Sequence, residues 1–171
     1  MALLIIALLI FTIGGLDPVM NGKILLAEQH IRTVNTDVDA RAVAKELVFA
    51  SYNANLGEPA NYKLLLAIAR YESTFDPDAI GAAGERGLLQ LHPCHCDNVR
   101  LAGLDPTKHE DCTLYAAIML ATSIAKGKTL EQALEPWTVG KRALALFEDM
   151  HAGILTHDNG AVALATKDNS P

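Results

Sequence analysis

The chain has 171 residues, half of them hydrophobic but only 5% aromatic, and 20 acidic side chains against 14 Lys and Arg give a formal charge of −6. This length suits one compact core, and Ala and Leu outweigh β-branched runs, so an all-α fold is expected. The negative balance, with no cluster of Lys or Arg, excludes a nucleic-acid surface.

Residues 1–16, "MALLIIALLIFTIGGL", carry no charged side chain. As a helix the apolar part would span roughly 20 to 24 Å, short of the ~30 Å hydrocarbon core. The segment is read as an apolar membrane anchor or signal, with a buried core helix as the remaining reading. No Lys or Arg precedes it and no small-x-small cleavage site follows, which favours an uncleaved anchor. Lys23 and Arg32 lie after it, so the positive-inside tendency would put the globular part on the cytoplasmic side, and the orientation stays open.

Residues 17–36 read as a linker, because Asp17-Pro18 and Asn21-Gly22 punctuate the chain before any period is sustained. The globular domain is expected over 37–150. Its first helix should run from about Asp37 to Tyr52, capped by Thr36 or Asp37, with Val38, Ala42, Leu47 and Phe49 inward. A second should start near Pro59 and reach Ser73. "CDNVRLAG" predicts a short helix ending at Gly103. "HEDCTLYAAIMLATSIAKG" predicts the central helix, with Leu114, Ile118, Ala121 and Ile124 as its core stripe. A helix capped by Thr129 breaks at Pro136, "KRALALFEDMHAG" forms the last amphipathic helix, and 151–171 is a tail.

The chemistry concentrates in "ARYESTFDPDAIGAAGERGLLQLHP", Ala69 to Pro93. Leu65, Ile68 and Glu72 fall at i, i+3 and i+7, so a carboxylate extends a stripe that faces the core. Lost water disfavours its charged form and suits it to general acid work. The plainer reading is a glutamate turned to solvent or paired with Arg70 or Arg86. Gly81, Gly84 and Gly87 then recur every third residue, leaving backbone bare where a polymer or another segment can approach. No strand precedes these glycines, which argues against a nucleotide loop. Gln90, set among Leu88, Leu89 and Leu91, offers an amide to a sugar's hydroxyl or acetamido group.

Glu72-Ser73, Phe75, Gly81-Ala82, Gly84, Gly87-Leu88, Gln90 and Pro93 together resemble the soluble lytic transglycosylase family, with its Glu-Ser, Gly-Ala-x-Gly and Gly-Leu-x-Gln-x-x-Pro elements. The likeness extends loosely from Asn61 to Arg142. It implies a lysozyme-like α fold and peptidoglycan as substrate. Glu72 would protonate the glycosidic oxygen between N-acetylmuramic acid and N-acetylglucosamine, then act as base on the muramyl C6 hydroxyl to leave a 1,6-anhydro product. The substrate's acetamido group can assist, so neither a second carboxylate nor a cofactor is implied. Ser73 resembles the serine that positions the catalytic region, and Gln90 and Gly87 belong to the substrate-side segment. Where the family has Tyr-Asn-Ala-Gly, this chain has Trp137-Thr138-Val139-Gly140, so Thr138 lacks the amide of asparagine.

Trp137, Phe75 and Tyr71 are candidates to stack on sugar rings, and Trp137 is taken as a site residue. Glu85 and Arg86, charges in the glycine loop, either tune Glu72 or are merely solvated, and solvation is the favoured reading. Cys94, Cys96 and Cys112, with His92, His95 and His109 near them in sequence, invite a zinc reading, but a Cys-His-Cys run would strain a tetrahedral shell, so no metal is expected. In an oxidising compartment one disulfide is expected, Cys112 to Cys94 or to Cys96, and in a cytosolic setting all three cysteines stay reduced. No G-x-S-x-G turn supports a serine hydrolase. The combined expectation is a membrane-anchored or exported lytic transglycosylase of the cell envelope, serving a phage virion or a secretion or conjugation machine. A hydrolytic muramidase of the same fold and a non-catalytic glycan-binding module are the alternatives.

Overall fold

A computed structural model of the chain describes residues 17–57 and 61–152. The apolar run at 1–16, Pro59 and the residues beyond 152 lie outside the described residues. What is described is helical, with only isolated bridges between Ile80, Arg86 and Leu91.

Helix α1, Pro18–Val34, replaces the expected linker. The Asp17 carboxylate accepts the Val19 N–H at 3.1 Å, and Pro18 sits in the first turn where no N–H is needed. Ile24, Ala27 and Ile31, at helical spacing, are wholly buried. Asn21 and Gly22 are exposed, and Gly22 has nothing within 4 Å of where a Cβ would stand. A solvent-side glycine costs about 1 kcal/mol of helix propensity, and three buried side chains outweigh that.

Helix α2, Ala40–Asn53, is capped by Asp39 and not by Thr36 or Asp37: its carboxylate accepts the N–H groups of Arg41 and Ala42, both at 3.1 Å. The later start leaves Val38 outside the helix. Val43, Ala44, Leu47, Val48 and Ala50 are buried, Phe49 is half-buried and Ala42 faces solvent, so of the expected inward set only Leu47 is fully enclosed. The Glu28 carboxylate on α1 accepts from Arg32 at 2.7 Å and from Arg41 of α2 at 2.9 Å, joining the two helices. Those guanidinium groups hold Glu28 below the usual carboxylate range.

Helix α3, Tyr62–Glu72, starts at the Asn61 side chain, which accepts the Lys63 N–H at 2.9 Å. Every residue from Leu64 to Ala69 is buried. The central position therefore belongs to α3. A 3-10 turn at Pro93–His95 leads into the short α4, Cys96–Leu101. Helix α5, His109–Ala125, lies against α2 and buries Cys112, Thr113, Ala116, Ala117 and Leu120. The expected stripe of Leu114, Ile118, Ala121 and Ile124 is only half-buried. This helix is apolar nearly all round, so its sequence sets no phase. Helix α6, Leu130–Ala133, has the reciprocal cap between Thr129 and Gln132, and α7, Gly140–His151, packs along α3. Side chains from α1 to α7 meet in one core. Among the described residues no helix is long and apolar enough to cross a membrane.

Candidate active site

Glu72 is the last residue of α3 and is half-buried, above Leu65 and Ile68, which are wholly buried. The chain then turns sharply. Thr74 and Phe75 take left-handed backbone with φ of 53° and 65°, a strained choice for residues with a Cβ. The turn is pinned from both sides. Phe75 is fully buried with its ring edge-on to His30 at 6.0 Å, and the Thr74 carbonyl accepts the Asn35 amide at 2.8 Å from the end of α1.

The glycine segment is a tight double turn. Gly81 N–H donates to the Glu85 carbonyl at 2.9 Å, Gly87 N–H donates to the Ala79 carbonyl at 3.1 Å, and Arg86 and Leu91 exchange N–H bonds at 3.1 and 3.0 Å. Gly87 has φ of +74°, and a Cβ there would stand 3.3 Å from the Cβ of His109. Its bare backbone serves the close approach of α5.

Three side chains fix the segment that follows. Ser73 Oγ lies 3.0 Å from the Leu88 carbonyl and 3.2 Å from that of Ala69, linking the end of α3 to the loop. Trp137 Nε1 donates to the Leu89 carbonyl at 2.9 Å. Gln90, itself at φ of 48°, donates from Nε2 to the carbonyls of Ala79 at 3.1 Å and Gly87 at 2.9 Å. Both amide hydrogens expected for a sugar are thus engaged within the loop, and Oε1 is the atom left to accept.

Trp137 is buried, so its ring cannot serve as the stacking face expected of it. The same holds for Phe75, and the face of Tyr71 carries the Arg142 guanidinium at 4.3 Å. Thr138 is exposed. Gly140 lets this turn close, since a Cβ there would lie 2.7 Å from the Leu134 carbonyl oxygen. The turn sets the Val139 N–H close enough to Glu72 to favour its ionised form.

Burial pushes the Glu72 carboxyl above the usual carboxylate range, the Val139 hydrogen bond opposes this, and the charge of Glu85 adds to it. Glu85 is half-buried, and its Oε2 accepts the Ala83 N–H at 2.9 Å. Its negative charge favours the protonated form of Glu72, whereas Arg86 is exposed. Among the described residues no ion pair reaches Glu72: Arg70 lies 3.5 Å from His30 Nε2 instead. Val139 was missed in the sequence because it contributes backbone alone.

Glu85→Gln can keep the Ala83 contact while removing the charge. The pKa of Glu72 then falls, so the alkaline limb of the pH profile of any reaction that uses its proton moves to lower pH; an unmoved limb would show that Glu85 does not act on Glu72.

The three cysteines are free thiols, so neither the Cys112–Cys94 nor the Cys112–Cys96 pairing is formed. Cys112 is buried and donates to the Pro106 carbonyl at 3.4 Å, while Cys94 is exposed. Burial, helped by Cys96 nearby, pushes the Cys112 thiol up to about 11, so it is protonated at neutral pH. Among the described residues no three His, Cys, Asp or Glu side chains converge as metal ligands.

The family model described as the transglycosylase SLT domain matches residues 50–135. The chain belongs to the SLT transglycosylase family. With the family comes, in general terms, a peptidoglycan-acting, glycan-cleaving enzyme. The matched span holds Glu72, Ser73, Gly87 and Gln90, and it ends before Trp137 and Thr138. No curated protein and no solved structure matches the chain. Trp137, just past the matched span, fastens the Leu89 carbonyl of the SLT domain. Trp137→Phe leaves the Leu89 carbonyl without its donor and opens a small void, an expected loss of about 2–3 kcal/mol in urea unfolding. A loss below about 0.5 kcal/mol would mean that water replaces the indole at no cost.

Proposed function

We propose that this SLT domain is a lytic transglycosylase in which Glu72 is the general acid and then the base. The observation that supports this best is a half-buried carboxyl at the end of α3, above the wholly buried Leu65 and Ile68, where lost water pushes it above the usual carboxylate range. In its protonated form Glu72 gives its proton to the glycosidic oxygen between N-acetylmuramic acid and N-acetylglucosamine. As carboxylate it then takes the proton of the muramyl C6 hydroxyl as that oxygen closes on the anomeric carbon, leaving a 1,6-anhydro end. Ser73 and Gln90 act as positioning residues through the loop carbonyls they hold, Gly87 seats the loop on α5, Trp137 anchors it, and Thr138 contributes an exposed hydroxyl at the rim. The enzyme makes local openings in the wall, held at the cell envelope through residues 1–16, as part of a phage virion or of a secretion or conjugation machine.

A second reading draws on Glu85: a second carboxylate near the acid can orient a water, which would make the enzyme a muramidase. Mass analysis of muropeptides released from purified peptidoglycan separates the two. Products lighter by one water, with anhydro ends, are expected; reducing ends would replace the proposal with hydrolysis, and no release would favour a glycan-binding module.

A further inference from the structure

A concavity of about 620 Å³ opens between α2 and the first turn of α5, with Val43, Phe49, Pro77 and Leu114 among its walls. Neither Glu72 nor Glu85 lines it. Glu46 does, with a side chain only 10% exposed. Glu46 Oε2 lies 3.0 Å from His109 Nδ1, but out of line for a completed hydrogen bond. Glu46 Oε1 is fully buried with no partner, and Thr113 Oγ1, on a residue 1% exposed, likewise completes no hydrogen bond. Thr113 nonetheless stands close enough to favour the ionised carboxylate, against a larger opposing effect of burial.

An unpaired buried carboxylate oxygen costs several times what a made hydrogen bond contributes, so a donor is called for. The surroundings define it. The mouth carries Asp39, Glu110 and Asp111 against Lys45 and the His109 imidazole, which stands between Glu46 and Glu110 with its own Nδ1 unpartnered. Asp39 is engaged in capping α2, and Asp111 accepts the Asp105 N–H at 2.9 Å. Glu110, 61% exposed and 3.5 Å from His109 Nε2, faces the opening. The field therefore favours a cation, and the apolar walls favour one on an aliphatic stem. A bare divalent ion is poorly served, since no three ligating side chains converge among the described residues.

We propose that this concavity binds a primary alkylammonium group, its NH3+ on the Glu46 carboxylate and its methylene chain along Val43, Phe49 and Leu114. A rotation of the carboxyl about its last, soft torsion turns the unpaired oxygen toward the ligand. Thr113 then donates its own proton to the carboxylate from behind. A volume of this size holds a four- or five-carbon chain with room for a linked group.

The test titrates the full chain with 1,5-diaminopentane and with Nα-acetyllysine amide, following the Glu46 carboxyl carbon and the His109 ring by NMR. Saturable shifts at both are expected, with affinity falling at least about tenfold in Glu46→Gln. Leu114→Lys, which places an ammonium in the site from the chain itself, should abolish binding and covers the case in which Glu46→Gln does not fold. Binding of both probes identifies an amine borne on a larger molecule, and binding of the diamine alone identifies a small free amine; either supports the site. The proposal falls if neither probe saturates, if n-pentanol produces the same shifts, or if a folded variant keeps full affinity. None of these readouts involves glycan cleavage, so the result stands apart from the role of Glu72.

Discussion

Glu72→Gln lowers the rate of glycan release by about 10²- to 10⁴-fold, the range that a positioned general acid supplies. Gln keeps the size of the side chain and can still accept from Val139, but it has no proton to give. The variant should also be at least as stable as the parent at neutral pH. The sign follows from the raised pKa: the fold disfavours the ionised form, so Glu72 opposes folding at pH above its folded value and ceases to do so as the pH drops and it is protonated. An inactive variant with an unchanged or higher denaturation midpoint at pH 7 marks a catalytic group. Retention of more than about a tenth of the activity would remove Glu72 from that role.

Phe75→Ala is expected to cost about 3–5 kcal/mol, the usual range for emptying a fully buried phenyl site. That is a large part of the stability of a small domain. The effect should exceed that of a typical core truncation elsewhere, because the ring also holds the left-handed turn after Glu72 in place. Urea unfolding gives the stability, and Phe75→Leu, which refills much of the site, should recover more than half. If Phe75→Ala lost less than about 1.5 kcal/mol, the turn would be shown to be fixed chiefly by the bond from Asn35 to the Thr74 carbonyl.

The segment proposed as catalytic is readable in the sequence because its constraints are local. Leu65, Ile68 and Glu72 lie on one turn-to-turn stripe, and the glycines and Gln90 follow within eighteen residues of the acid. In sequence, helix α1 resembles a linker because Asp-Pro and Asn-Gly are turn dipeptides in most settings. Here Asp17-Pro18 starts the helix instead of ending one, and Asn21-Gly22 faces water. Which side of α5 is buried could not be read from a helix apolar on almost every side, where only the neighbours decide. The roles of Val139 and Trp137 depend on contacts 67 and 48 residues away in sequence, as Glu72 to Val139 and Leu89 to Trp137 show. Such long-range partners leave no mark in local periodicity.

The indole that holds the Leu89 carbonyl is the only tryptophan in the chain. Its emission therefore reports on a single place, the seam between the loop that carries Leu89 and the turn before α7. A red shift that precedes loss of helical circular dichroism would reveal the loop opening as a separate local event, while coincident changes would show that loop and bundle melt together. The protein thus carries its own optical gauge of active-site integrity, and it needs no label.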